Sequence, residues 1–192
     1  MKHPKLIHAA LPVFILAGCA SGPSAEQQAA MVDDARKAAG SLIQQLGGEL
    51  KQAMSTEGPE GAISVCKVKA PQIAAAVSRQ SGFDVKRVSP KNRNPNGAPD
   101  AWEAQAQTTL EKRLAAGEKS ETLDTWQIVD TPSGKQFRYA KAIPVQPVCL
   151  VCHGEVIPDG VKARLAADYP NDKATGYQVG MLRGIISIQR PL

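Results

Sequence analysis

The pentapeptide Cys149-Leu150-Val151-Cys152-His153 constrains this chain more than any other feature. C-x-x-C-H is the attachment signature of c-type haem. Two thiols at this spacing add across the two vinyl groups of one porphyrin, and the adjacent imidazole is then held beneath the iron as an axial ligand. Three other chemistries use a C-x-x-C pair. A thioredoxin-like dithiol needs a βαβ setting with the first Cys at a helix N-terminus, whereas Pro144 and Pro147 place this pair in a loop after a strand. A zinc site needs a fourth ligand. Cys66 is available for it, but the C-x-x-C-H order would then be a coincidence. A Cys149–Cys152 disulfide would close a small, strained ring. Covalent haem c therefore leads, with Cys149 and Cys152 as the thioether residues and His153 as the proximal iron ligand.

Haem of this kind is attached outside the cytoplasm, so the chain should be exported. Its start, MKHPKLIHAALPVFILAGCASG, has Lys2 and Lys5, an apolar stretch from Leu6 to Ala17, and small residues at the end. That is the pattern of a secretory leader. Leu16-Ala17-Gly18-Cys19 resembles the lipobox of bacterial lipoproteins, with Cys19 as the lipidated thiol. All four positions match, which favours this over a plain signal peptide with an incidental Cys. The expected organisation is a signal peptide over 1–18, a lipidated tether over 19–28 and one haem-binding domain over 29–192. Several acyl chains would hold the protein stably on a membrane. Ala20 after the Cys directs such proteins to the outer membrane, here its periplasmic face. The longest apolar run is too short for a membrane span, which needs about 20 residues.

Hydrophobic residues make up 43% of the 192-residue chain and charged residues 21%, which fits a soluble core. Only 4% are aromatic, so a large cofactor is a natural filling for the middle of the fold. The formal charge is +5, of which Lys2 and Lys5 in the leader supply two. No basic cluster is interleaved with aromatics, which argues against nucleic acid as a partner. Beyond the leader's His3 and His8, His153 is the only histidine. Bis-His ligation within the chain is therefore excluded. The residues alone leave the sixth iron position open among Met31, Met54, Met181, a lysine, water, an empty site and Cys66. Cys66 is the one thiol left after lipidation and haem attachment. A buried structural Cys on an apolar stripe explains it equally well.

The elements read as α+β. Glu26 to Thr56 predicts a long helix with Leu42, Leu46 and Leu50 on one face and Gly47-Gly48 as a weak point. Pro59 opens a second helix. Ile63, Cys66, Ala70, Ile73 and Val77 form a helical stripe that Pro71 should kink or split, and Gly82 should close it. Phe83 to Ser89 is strand-like, and PKNRNPNGAP (90–99) is a loop. Asp100 and Glu103 form a capping box for a helix running to Gly117. Strands over 121–131 and 135–145 meet at Pro132-Ser133-Gly134. A short helix over 161–168 and a strand over 180–188 complete one domain.

EGPEGAISVCKVKAPQIA, KNRNPNGAPDAWE, RYAKAIPVQPVCLVCHG and GYQVGMLRGIISI together resemble the PAS-like c-type haem domain family, over about Val32 to Ile188. The loop carries one extra residue relative to the family, Gly97 between Asn96 and Ala98. The resemblance implies an α+β fold with a PAS-like antiparallel sheet flanked by helices and a long N-terminal helix. It also implies His and Cys axial ligands, which fall on His153 and Cys66. A thiolate ligand favours ferric iron and a low potential. Its loss on reduction would open a site for NO or CO. Two haem propionates need cationic or hydroxyl partners. Arg87, Arg93, Arg138 and Tyr139 are the candidates, with Arg93 foremost because it lies in the family-like loop. Trp102 and Trp126 read as core or haem-wall residues.

Three functions follow as expectations. The first is a redox or diatomic-gas sensing module. With no output domain in this chain, it would work through a signalling protein partner. The second is a periplasmic electron-transfer cytochrome with a redox partner. A peroxidase-like enzyme is the weakest, since no second His or distal acid–base group is present, and the chain is expected not to be an enzyme. The N-terminal helix offers an apolar face for a homodimer, although such helices mostly pack on their own domain.

Overall fold

The computed structural model describes residues 22–192, and the leader and Cys19 lie outside the described residues. The first helix, α1, runs Ala25–Thr56 without a break at Gly47-Gly48. Ser24 caps it: its hydroxyl accepts from Gln27 N at 3.2 Å and Gln27 Oε1 accepts from Ser24 N at 2.8 Å. This reciprocal cap satisfies donors that the first turn leaves unpaired. The buried stripe is Met31, Val32, Ala35, Ala38, Ala39, Leu42 and Leu46. Its many alanines let the helix backbone approach the sheet closely.

Pro59 starts α2 (Gly58–Ser64), as its missing N–H allows. The expected interruption at Pro71 takes an unexpected form. Between α2 and α3 (Ala70–Ser81) lies a π-turn, Val65–Lys69, in which Ala70 N donates to Val65 O five residues back. Proline has no N–H to give and its ring crowds the preceding turn. A widened turn absorbs both defects without ending the helix. Gly82, at φ 70°, closes α3 in the left-handed conformation that glycine adopts freely.

Strands β1 (Asp84–Val88), β2 (Asp124–Thr131), β3 (Gly134–Pro144) and β4 (Leu182–Pro191) form one antiparallel sheet in the order β1-β4-β3-β2. One sheet face, with Val85, Phe137, Tyr139, Ile186 and Ile188, packs on α1 and α3. The other, with Val88, Ala140, Ala142 and Ile185, packs on α4 (Ala101–Ala115) through Ala106 and Leu110. Helices thus cover both sides of the sheet. The expected capping box at α4 is present, with Glu103 N donating to Asp100 Oδ1 at 2.8 Å and Asp100 N to Glu103 Oε2 at 2.8 Å. The C-x-x-C-H segment forms a 3-10 turn, Pro147–Cys149, running into a short helix, α5 (Leu150–His153). Helix α6 (Asp159–Asp168) follows and buries Val161, Leu165 and, just beyond it, Tyr169 against Ile63 and Cys152. No helix among the described residues is long and apolar enough to cross a membrane.

Candidate functional site

Three strand ends, the 92–97 loop, the π-turn and the end of α5 line a partly open cleft with a cavity volume of about 110 Å³, smaller than the roughly 300–1,000 Å³ of most small-molecule sites. Cys66 lines it from the π-turn and His153 from the end of α5, with Arg87, Arg93, Tyr169, Arg183 and Gly184 around them. Among the described residues no group of three or more His, Cys, Asp or Glu is arranged to hold a metal ion directly.

The two thiols of the motif are not among the residues that line this cleft; each lies in apolar surroundings of its own. Cys149 packs against Val145, Ala174 and Tyr177, and Cys152 against Ile63, Val161 and Tyr169. Burial pushes the Cys152 thiol up, only partly opposed by the charge of Arg93. Cys66, Cys149 and Cys152 are all free thiols. Gly154 ends α5, and a Cβ there would stand 2.6 Å from the Leu150 carbonyl oxygen. The residue after the histidine therefore has no room for a side chain.

The orientation of His153 follows from one contact. Its Nδ1 lies 2.7 Å from the Ala174 carbonyl oxygen. A carbonyl can only accept, so Nδ1 carries the proton and Nε2 keeps its lone pair. Burial, followed by the charges of Arg183, Arg93 and Arg87, holds the imidazolium well below its ordinary pKa. The ring is neutral at neutral pH, the form that binds metals.

Arg183 lines the same cleft but was not singled out from the sequence. Its Nε lies 3.3 Å from His153 Nδ1, which has no lone pair to offer, and its Nη1 donates to Lys91 O at 3.2 Å. Its guanidinium also lies over the Tyr177 ring, 5.3 Å from the centroid. Burial pulls its pKa down. Among the described residues neither Arg183 nor Arg87 is paired with a carboxylate within 4.0 Å, so the cleft presents two cations without local anions. The one hint in the sequence was a lone charge inside the apolar run MLRGIISI.

Of the other residues expected here, Arg93 reaches the cleft but commits Nε and Nη2 to protein acceptors: Asp172 Oδ2 at 3.0 Å, Cys152 O at 2.6 Å and Ala174 O at 3.3 Å. Arg138 and Tyr139 do not line it. Arg138 faces α4, bonds Asp100 at 2.7 Å and stacks over Trp102 at 4.7 Å. Tyr139 faces α1 and donates to Asp124 Oδ2 at 2.9 Å, where Arg36 also binds. Adjacent strand residues point to opposite faces, which separates this pair. Trp102 and Trp126 are likewise away from the cleft: Trp102 donates to Gln127 and Trp126 stacks on Phe137. Met31 and Met54 pack with α1 clusters and Met181 is exposed, so none of the three lines the cleft with His153.

This α+β domain, with a cleft lined by a cysteine, a neutral histidine and unpaired arginines, belongs to the Tll0287-like family, whose model matches residues 24–191. Among solved structures it is similar to that of the cyanobacterial haem protein Tll0287. The two share 25% identity over 88% of this chain and 97% of that one, with a TM-score of 0.61. No curated protein matches.

Proposed function

We propose that this chain is an extracytoplasmic mono-haem c-type cytochrome that serves as a redox or diatomic-gas sensing module. Bound there, the haem supplies an iron that changes oxidation state and takes up small ligands. In this reading Cys149 and Cys152 would hold the porphyrin by thioether bonds, and His153, through Nε2, and Cys66 would be its iron ligands. The observation that carries the reading is the convergence of Cys66 and His153 on one cleft from distant parts of the chain. A haem suits the rest of the site. Its two propionates would give Arg87 and Arg183 the anions they lack, and its apolar faces match the packing around both motif cysteines. The kinship to a cyanobacterial haem protein supports the same assignment.

The sensing role rests on the expected ligand pair. A Cys66 that takes up a proton from solvent would bind iron less strongly than its thiolate, and the haem, once reduced by a partner, would then be free to take NO or CO. Export, lipid anchorage at Cys19 and a signalling partner complete the proposal.

Protein made in a host that matures c-type cytochromes should keep its colour through acid–acetone extraction and gain the mass of one haem. A colourless product of unmodified mass would end the haem reading. Potentiometric titration with gas-binding spectra then tests the role. A ligand switch on reduction, with CO uptake, supports sensing. Reversible cycling with both ligands retained identifies an electron carrier instead, and turnover of peroxide identifies an enzyme.

A further inference from the structure

His153 is held by a strap of chain, 172–177, that is itself tied at several points. Tyr177 N donates to His153 O at 2.9 Å, Gly176 N to Gly154 O at 2.9 Å and Lys173 N to Asn92 O at 3.2 Å. Lys91 Nζ donates to Thr175 O. At the centre lies Ala174, fully buried, whose carbonyl receives the Nδ1–H of His153. Both ends of the Ala174 peptide environment lead to one ion pair. Asp172 Oδ1 accepts from Ala174 N at 2.8 Å, and Asp172 Oδ2 lies 2.9 Å from Arg93 Nη2. Arg93, 7% exposed, passes from that carboxylate to the carbonyls of Cys152 and Ala174. It therefore links the motif helix, the strap and the family-like loop in one guanidinium.

We propose that Arg93 and Asp172 are positioning residues for the iron ligand. Together they pin the Ala174 carbonyl where it fixes His153 as the Nδ1–H tautomer, with the Nε2 lone pair free for the metal. Groups that orient a ligating histidine through its second nitrogen set both its direction and its basicity. The planar guanidinium fork suits this task because it serves several acceptors at fixed angles, which an ammonium does not. The inference rests on the haem reading above and assigns Arg93 a duty distinct from holding a propionate.

The test uses the haem-loaded full chain and the variants Arg93→Gln, Arg93→Lys and Asp172→Asn. Solvent exchange of the His153 Nδ1–H is followed by NMR, and the reduction potential is measured alongside. Exchange in the unsubstituted protein should be slow. It should quicken by about 10-fold or more in Arg93→Gln and Asp172→Asn, as the loss of a buried hydrogen-bond partner favours local opening, and Arg93→Lys should not restore it. A role through charge alone predicts otherwise: opposite shifts of potential in Arg93→Gln and Asp172→Asn, unchanged exchange, and rescue by Arg93→Lys. That pattern overturns the proposal. So does fast exchange in the unsubstituted protein, a measurement that needs no variant to fold. If the folded chain carries no haem by mass, the haem reading fails separately. The imidazole nitrogen shifts of that same chain then read the tautomer, and an Nε2–H form overturns the positioning role.

Discussion

Cys66 and His153 line the same cleft, the first carried by a π-turn and the second by the last residue of a short helix. Neither element is stable by itself. A π-turn is an exception within a helix, commonly found at functional sites, and a four-residue helix is far below the length that survives alone in water. Both are held by what surrounds them. Lys67, next to Cys66, bonds Asp168 at 2.6 Å, and the strap brackets His153.

With haem attached, Cys66→Ala should remove the low-spin ferric signals of a six-coordinate Cys/His centre. Absorption and EPR spectra of the ferric protein beside the variant make the comparison. Spectra unchanged by the substitution would take Cys66 off the iron.

Arg183→Gln should lower the reduction potential, because a positive charge beside the iron disfavours the more positive ferric state. Arg138→Gln should leave the potential nearly unchanged, since Arg138 is engaged with Asp100 on the α4 side of the sheet. Equal shifts in the two variants would mean that distance from the cleft does not matter.

Gly154→Ala places a methyl carbon 2.6 Å from a backbone oxygen that has no rotamer to escape into. The expected cost is about 1–3 kcal/mol, the range for overpacking a tight site. Chemical denaturation measures it. A variant as stable as the parent would show that α5 can give way at its end.

Stability should fall in acid through two carboxylates. Burial pushes Asp124 up, but hydrogen bonds from Arg36 and Tyr139 outweigh it and leave the group below its usual value. Burial also raises Asp100, and bonds from the Glu103 N–H and Arg138 reverse this. In the unfolded chain both titrate near about 3.9. Because the folded values are lower, the unfolded state binds more protons as the pH drops. Their contribution is fully present above about pH 4 and is lost as the pH falls through the folded pKa values. Denaturant midpoints between about pH 6 and pH 2 should show this slope, and Asp124→Asn should flatten it. An unaltered slope in that variant would exclude Asp124 as a source.

What the sequence made legible was mostly local. The α1 stripe, the Asp100–Glu103 cap, the hairpin at Gly134 and the C-x-x-C-H segment each depend on residues a few positions apart. Gly47-Gly48 did not break α1, because neighbouring Leu46 and Leu50 are anchored against the second helical segment. Pro71 announced a disturbance, but whether a helix ends or widens there depends on packing against α1 and α6. The cleft was less legible still. Arg183 borders it because β4 enters the sheet between β1 and β3, a placement set by pairings across the whole chain. Arg138 and Tyr139 looked adjacent in sequence, yet the alternation of a strand sends them to opposite layers. Asp172 gave no signal at all, since its importance lies in a buried partner far upstream.

The position of β4 has a consequence for assembly. It comes after the other three strands in the chain yet sits inside the sheet, so β1 and β3 have no common neighbour until it arrives; Asp84 pairs with Gln189 and Tyr139 with Ile188. Pairings across such separations form late, because the loop between them must close first. A polypeptide delivered N-terminus first would present the sulfurs of Cys149 and Cys152 before the segment bearing Arg183 and Gly184 had emerged. On the haem c reading proposed above, attachment would then meet an open workbench, and the last wall would rise around whatever had been fastened there.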